Sequence, residues 1–362
     1  MKKLIAVILL MASIFSLASC GDETYDPVES SDVEKTVVMT LKIEEETYNV
    51  RYELYRAFFL AYKSEIDGGN ASVWTGDNKN EYIAKIDELI LHYITEIYSV
   101  IHTAGKIGID IYSDEYDENV SAAIKDIVDG DSLYGGFDGD YSAYLAHLKS
   151  INLNYSVQDL MIRYDIAISD INRHYAGYVK DTDTGEKEPG ALEYTKDDVS
   201  AFYWSEDSVS ILRAFFNADY MDFDAITRAK NAIYQAHGDH ERVLNKIIGV
   251  SSTSPDDVFQ IVGKYNLDRL FYSEYTEAAF ALPSGETSDI IKVSTASSTY
   301  YYVLYRTRKG TDLFNENYDA IAEAYVENEI GRILYTGADA LKNSVVYSDA
   351  LQNLDRSQIS MN

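Results

Sequence analysis

Six isoleucines, Ile83, Ile86, Ile90, Ile94, Ile97 and Ile101, recur at steps of three and four along one stretch of the chain. That spacing lines one side of an α-helix over residues 81–106 and creates a stripe that must be buried against other helices. Asp87, Glu88, His92, Glu96 and Ser99 lie off the stripe. The segment therefore reads as an amphipathic bundle helix and not as a membrane span. Helical partners should lie close by. Residues 51–66 read as one, ended by Gly68-Gly69-Asn70. Ser113-Asp114-Glu115 places an N-cap and first-turn acids at the head of a second, running to about Asp129. A third follows the glycine-rich break Gly130–Gly139, over residues 141–151. Ser156 caps a fourth, with Leu160, Tyr164, Ile168, Ile171, Tyr175 and Tyr178 on one face. Residues 180–190 read as a polar loop, and Thr195-Lys196-Asp197-Asp198 opens a short helix reaching Tyr203.

Strand patterns sit at two places. Val37, Met39, Leu41 and Ile43 alternate with polar residues, the period of a half-buried strand, and residues 47–50 form a second short one. From about Ser208 strands and helices mix: 209–216, 289–293 and 300–306 read as strands, 224–236 and 241–248 as helices. After Gly310 the helical pattern returns, with Phe314, Tyr318, Ile321 and Tyr325 aligned and Ile330, Ile333 and Leu334 beyond them. The expected fold class is α+β: a mainly helical lobe built from both chain ends, with a mixed α+β module inserted.

Composition narrows the function classes. Hydrophobic residues make up 46% and prolines number 4, which is the balance of a folded chain. Removing residues 1–19, which hold Lys2 and Lys3 and no acid, takes the formal net charge from −29 to −31. Nucleic acid is excluded as a partner, because phosphate binding needs clustered Lys and Arg, and adhesion to anionic headgroups is disfavoured. Tyrosines number 32 against 12 phenylalanines, a composition suited to half-exposed contact surfaces or to tyrosine-rich cores and edges.

Met1-Lys2-Lys3 is a short basic start, followed by an uncharged apolar run from Leu4 to Leu17 that ends in Leu17-Ala18-Ser19-Cys20-Gly21. A basic n-region, a short apolar core and small residues before a cleavage point mark a signal peptide. Leu-Ala-Ser-Cys is similar to the lipobox of bacterial lipoproteins. That resemblance implies that Cys20 is diacylated, becomes the new N-terminus and holds the exported protein on the outer face of the cell membrane; two acyl chains anchor stably where one does not. The alternative is a cysteine that happens to follow an ordinary signal sequence. Cys20 is the only cysteine in the chain, so no intramolecular disulfide can form. Residues 20–35 are polar and acidic and read as a tether between lipid and fold.

Order of elements and lipobox together resemble the PrsA/SurA-like extracytoplasmic folding lipoproteins. Two segments carry the likeness. Tyr48 to Asp67 (YNVRYELYRAFFLAYKSEID) takes a strand into an aromatic-rich helix, like the opening of the SurA-type N-terminal domain. Ala278 to Ile291 (AAFALPSGETSDII), followed by Tyr300 to Arg306, looks like the last third of a parvulin-type prolyl isomerase domain. The resemblance implies a signal peptide at 1–19, the tether at 20–35 and a helical peptide-binding domain at 36–205. It further implies a degenerate parvulin-like domain at 206–308, a helix returning to the helical lobe at 309–352 and a tail at 353–362.

Parvulins of this kind carry a histidine in the first strand, another in the last, and a Cys or Asp between. Laid on this chain, those positions fall on Ala214, on Tyr301 and within Ser251-Ser252-Thr253-Ser254. The expected Gly-Gly-Asp-Leu-Gly stretch reads Tyr265-Asn266-Leu267-Asp268-Arg269. Every polar position of the cluster departs from the family. The apolar pocket is better kept: Phe271 and Tyr275 match the side chains that would hold a proline ring, with Tyr301 as third candidate, although ordinary core packing explains Phe271 and Tyr275 as well. His237-Gly238-Asp239-His240 gives poor metal geometry on a turn, and Asp181-Thr182-Asp183-Thr184-Gly185 lacks the glutamate of a calcium loop. No cofactor is implied. Three functions stay open. One is a membrane-anchored chaperone or foldase that binds unfolded secreted polypeptides with weak or absent isomerase activity. Another is an active peptidyl-prolyl cis/trans isomerase, and the last is a non-catalytic surface lipoprotein with one dedicated partner.

Overall fold

The structure, a computed structural model, describes residues 25–67, 70–181, 186–217, 223–236, 240–250, 258–265, 273–294 and 299–360. It is α+β. The chain forms two compact units: one takes in the residues up to Ile171 together with those from Leu334 onward, and the other is Asn172–Ile333.

The first unit opens with a hairpin, β1 (Val37–Ile43) and β2 (Glu46–Arg51), that leads directly into α1 (Tyr52–Asp67). The isoleucine-striped helix is α2 (Lys79–Lys106). Ile86, Ile90, Ile94, Ile97 and Ile101 are buried, as the stripe requires. Its second half departs from an amphipathic pattern, because every residue from Ile94 to Ala104 is buried. Glu96 and Ser99, expected on the wet face, are therefore inside; Glu96 meets His92 at 3.2 Å and Ser99 Oγ donates to the carbonyl of Leu334. His102 is buried beside Glu46 and Tyr48, with Nδ1 2.9 Å from the Glu46 carboxylate.

Helices α3 (Asp114–Asp129), α4 (Tyr141–Ser150) and α5 (Tyr155–Ala176) follow. Ser113 caps α3 through the amide of Tyr116, as its position before two acids suggests. Arg163 on α5 is buried between Asp117 (2.6 Å), Asp159 (2.7 Å) and the carbonyl of Ile111 (2.6 Å), so its charge is fully matched. The stretch read as a tether is bonded to the folded unit over its described part. Ser30 bonds to the buried carboxylate of Glu53, and Glu34 pairs with Arg56 at 2.7 Å.

The second unit begins inside α5. The stretch read as a polar loop is a hairpin, β3 (Gly177–Asp181) with β4 (Glu186–Pro189). Helix α6 (Lys196–Trp204) starts with a full capping box between Thr195 and Asp198. Then come β5 (Ser208–Asn217), α7 (Phe223–Gln235), α8 (His240–Val250), β6 (Phe259–Gly263), α9 (Ser273–Ala281), β7 (Ile291–Ser294) and β8 (Thr299–Arg306). The four strands make an antiparallel sheet in the order β6-β5-β8-β7.

Helix α10 (Thr311–Glu316) and the first part of α11 (Tyr318–Lys342) stay in this unit. Phe314, Ile321, Ala322 and Ala324 bury against Val199, Phe202 and Tyr203 of α6 and Ile261 of β6. From Leu334 on, α11 belongs to the first unit, where β9 (Val346–Tyr347) adds to β1 and a short α12 (Asp349–Gln352) follows. The closing helix is thus shared between the two units, and the part in the second unit packs chiefly on α6, which the sequence reading counted within the helical lobe, together with Ile261 of β6. No described helix is long and apolar enough to cross a membrane.

Candidate functional site

Strand alternation decides which side chains of the second unit can act together. In the β5–β8 pair Arg213 lies opposite Leu304, Ala214 opposite Val303, Phe215 opposite Tyr302 and Phe216 opposite Tyr301. Directly opposed residues point to the same face and their neighbours to the other. On one face Leu212, Ala214, Phe216, Val303 and Tyr305, with half-buried Tyr301, pack under Ile226, Ala229 and Ile233 of α7 and Val243 and Ile247 of α8. On the other, Val209, Ile211, Val262 and Leu304, with half-buried Tyr302, pack against Tyr275 and Ala279 of α9.

Tyr275 and Tyr301 are therefore on opposite faces of the sheet, and the grouping expected from sequence is corrected on that point. A shift of one residue along a strand flips the side chain, so Tyr302, and not Tyr301, is the β8 tyrosine that meets Tyr275. Tyr301 instead touches Phe223 at the start of α7, edge to face at 5.7 Å. Ala214 shares the face of Tyr301 and is fully buried. Phe271, Ser251-Ser252-Thr253-Ser254, His237-Gly238-Asp239 and Thr182-Asp183-Thr184-Gly185 lie outside the described residues, as does Cys20.

What the α9 face presents is a run of aromatic rings. Tyr275 meets Tyr302 at 5.2 Å between centroids, Tyr302 meets Phe215 at 5.5 Å, and Phe215 meets Tyr300 at 5.3 Å. Tyr275 is buried, whereas Phe215, Tyr300 and Tyr302 are half-exposed. Rings at this spacing offer a continuous apolar ledge with hydroxyls at its edge. Arg306 fastens the helix above it, donating to the carbonyls of Phe280 (3.1 Å) and Leu282 (2.7 Å) where α9 ends. Along this face β5 contributes Val209, Ile211, Arg213 and Phe215 and β8 contributes Tyr300, Tyr302, Leu304 and Arg306. Among these described strand residues there is no histidine, cysteine or carboxylate to move a proton near neutral pH. These strand residues can grip apolar or ring-shaped groups and supply no acid–base pair of their own. Phe215, Tyr300 and Tyr302 were not singled out by sequence, because three consecutive tyrosines leave no alternation to show which face each one takes.

No family model and no curated protein matches the chain. Three solved structures align over much of its length. Foldase protein PrsA from Streptococcus pneumoniae is 13% identical, over 86% of this chain and 97% of that one, with a TM-score of 0.25. PrsA from Bacillus subtilis is 11% identical, over 73% and 87%, with a TM-score of 0.25. Foldase protein PrsA from Lactococcus lactis is 17% identical, over 90% and 99%, with a TM-score of 0.23. Superpositions this loose set no residue equivalences, and the functional reading rests on the chain's own side chains.

Proposed function

We propose that this protein is a membrane-anchored extracytoplasmic chaperone that binds unfolded secreted polypeptides and has little or no prolyl isomerase activity. The observation that carries the reading is the half-exposed ledge of Phe215, Tyr300 and Tyr302 beside Tyr275, with no histidine, cysteine or carboxylate among the described β5 and β8 residues of that face. Apolar segments and proline rings bind such a ledge through buried area and ring contact, which need no charge. Turning a peptide bond is different: the barrier is about 20 kcal/mol, and rings alone can supply only the desolvation and grip. The lipobox-like Leu17-Ala18-Ser19-Cys20 would place the protein where secreted chains emerge. In this reading the sheet-bearing unit is a parvulin-like module that keeps a binding face and has lost the family's polar cluster.

Two assays on one preparation of the mature chain test it. Aggregation of an unfolded client should be suppressed, and proline-limited refolding should run at least about tenfold slower than with an intact parvulin, a difference of about 1.4 kcal/mol in barrier. Full isomerase rates would retire the proposal in favour of an active enzyme. Absence of both activities, with one tight partner recovered, would favour a dedicated binding protein.

A further inference from the structure

The loop between α3 and α4, Gly130–Gly139, holds a leucine out in solvent. Leu133 is 85% exposed, more than any other large apolar side chain among the described residues. The loop around it is tightly cross-bonded. Asp131 Oδ1 accepts from the amide of Leu133 (2.7 Å) and Asp138 Oδ1 from the amide of Ser132 (3.0 Å). Backbone amides of Gly136, Asp138 and Gly139 donate to the carbonyls of Asp131, Gly130 and Val128 at 2.8–3.0 Å. Gly136 backs onto Gly130 so closely that a Cβ on it would stand 2.1 Å from the Gly130 carbonyl. Phe137 turns inward onto Tyr144 and His147. One apolar side chain is thus presented at the tip of a braced turn.

The N-terminal segment docks on this same end of the first unit. Tyr25 stacks on Tyr141 with centroids 4.7 Å apart, and its hydroxyl donates to Asp129 at 2.7 Å and reaches the Gly139 carbonyl at 3.4 Å. Tyr141 donates back to the carbonyl of Asp26 at 2.7 Å. Cys20 precedes Tyr25 by five residues. At about 3.3–3.6 Å per residue, fully extended, such a leash spans at most about 18 Å.

We propose that this docking holds the Gly130–Gly139 loop against the lipid surface, with Leu133 entering the headgroup–acyl boundary of the leaflet that carries the acylated Cys20. The proposal rests on the lipid-anchor part of the function proposed above. Four aspartates, Asp129, Asp131, Asp138 and Asp140, surround the loop and accept from hydroxyl, amide or lysine donors within the unit, with no basic residue between Gly130 and Asp140. The surface therefore fits zwitterionic lipid and not an anionic one.

The test uses the full lipidated protein in phosphatidylcholine vesicles. With Cys20 acylated, Leu133→Cys supplies the single free thiol for an environment-sensitive dye, and the vesicles contain a lipid spin-labelled near the glycerol. Interfacial apolar groups sit about 5–10 Å into the boundary, so roughly twofold quenching is expected. Inserting about twelve Gly-Ser residues between Thr24 and Tyr25 lengthens the leash by roughly 20 Å without touching the folded unit, and should abolish most of the quenching. Equal quenching with both leashes, or none in vesicle-bound acylated protein, overturns the proposal. Mass spectrometry showing no acyl group on Cys20 overturns it together with the anchor reading, and is distinguishable from the other two results.

Discussion

Ser99 Oγ donates a 2.6 Å hydrogen bond to the carbonyl of Leu334, joining α2 to the last turns of α11 across 235 residues of sequence. The bond forms because Gly337 lets the two helices close: a Cβ there would stand 2.3 Å from Ser99 Oγ. Both residues lie in the first unit, so this contact is one of the places where the chain's end completes the lobe that its beginning starts.

Replacing Gly337 with alanine should destabilise the first unit by roughly 1–3 kcal/mol through overpacking, while Ser99→Ala alone costs about 1 kcal/mol. The two should not add. Removing the hydroxyl relieves the clash, so Gly337→Ala should cost clearly less in the Ser99→Ala background, and a urea-denaturation double-mutant cycle measures the difference. Strict additivity would mean that the helices do not meet at these residues.

Asp165 on α5 gives the chain a pH dependence. Its Oδ2 is sealed from solvent with no hydrogen-bond partner among the described residues, and burial pushes the carboxyl up to about 8. An unfolded carboxyl of this kind titrates near 3.9, so between about 4 and 8 the folded state holds a proton that the unfolded chain has lost. Unfolding is therefore favoured progressively as pH rises through that window, with the whole penalty reached above about 8 and none below about 4. Asp165→Asn should gain roughly 1–3 kcal/mol at pH 8, with the gain shrinking toward pH 4. Denaturation midpoints of both proteins across that range check the sign; a gain that grows on acidification is the wrong sign.

Anchoring has its own prediction. Two acyl chains, at about 0.8 kcal/mol per buried methylene, hold a protein where one chain does not. Cys20→Ala should appear in the soluble extracytoplasmic fraction or remain as an unprocessed precursor. Recovery of a mature-sized Cys20→Ala protein with membranes would contradict the lipobox reading.

Much of the fold was legible because burial wrote a period into the sequence. The isoleucine stripe of α2, the caps at Ser113 and Thr195 and the alternation of β1 each combine a local preference with a buried face. Elements without such a period escaped notice. The β3–β4 hairpin, read as a polar loop, is polar throughout Lys180–Pro189 and is held by backbone pairing. Strand β6 is five residues long, too short to show alternation against its neighbours. In the candidate site the residue types were visible and the face was not. Tyr300, Tyr301 and Tyr302 are chemically identical, and only the pairing of Phe215 with Tyr302 shows which of them meets Tyr275.

The central claim is that the α9-side aromatic ledge is where unfolded chains bind. It is tested most directly by the affinity of the mature protein for an unfolded, aggregation-prone client, compared with that of Phe215→Ser/Tyr300→Ser, which removes two half-exposed rings from the ledge. A control, Phe223→Ser, removes an exposed ring on the opposite face. The account predicts roughly tenfold weaker binding for the ledge variant, about 1.4 kcal/mol, with the control unchanged. Affinity should also stay level between pH 6 and 8, since the described ledge strands hold no histidine or carboxylate. Unchanged affinity in a ledge variant that still unfolds cooperatively, or an equal loss in Phe223→Ser, would contradict it.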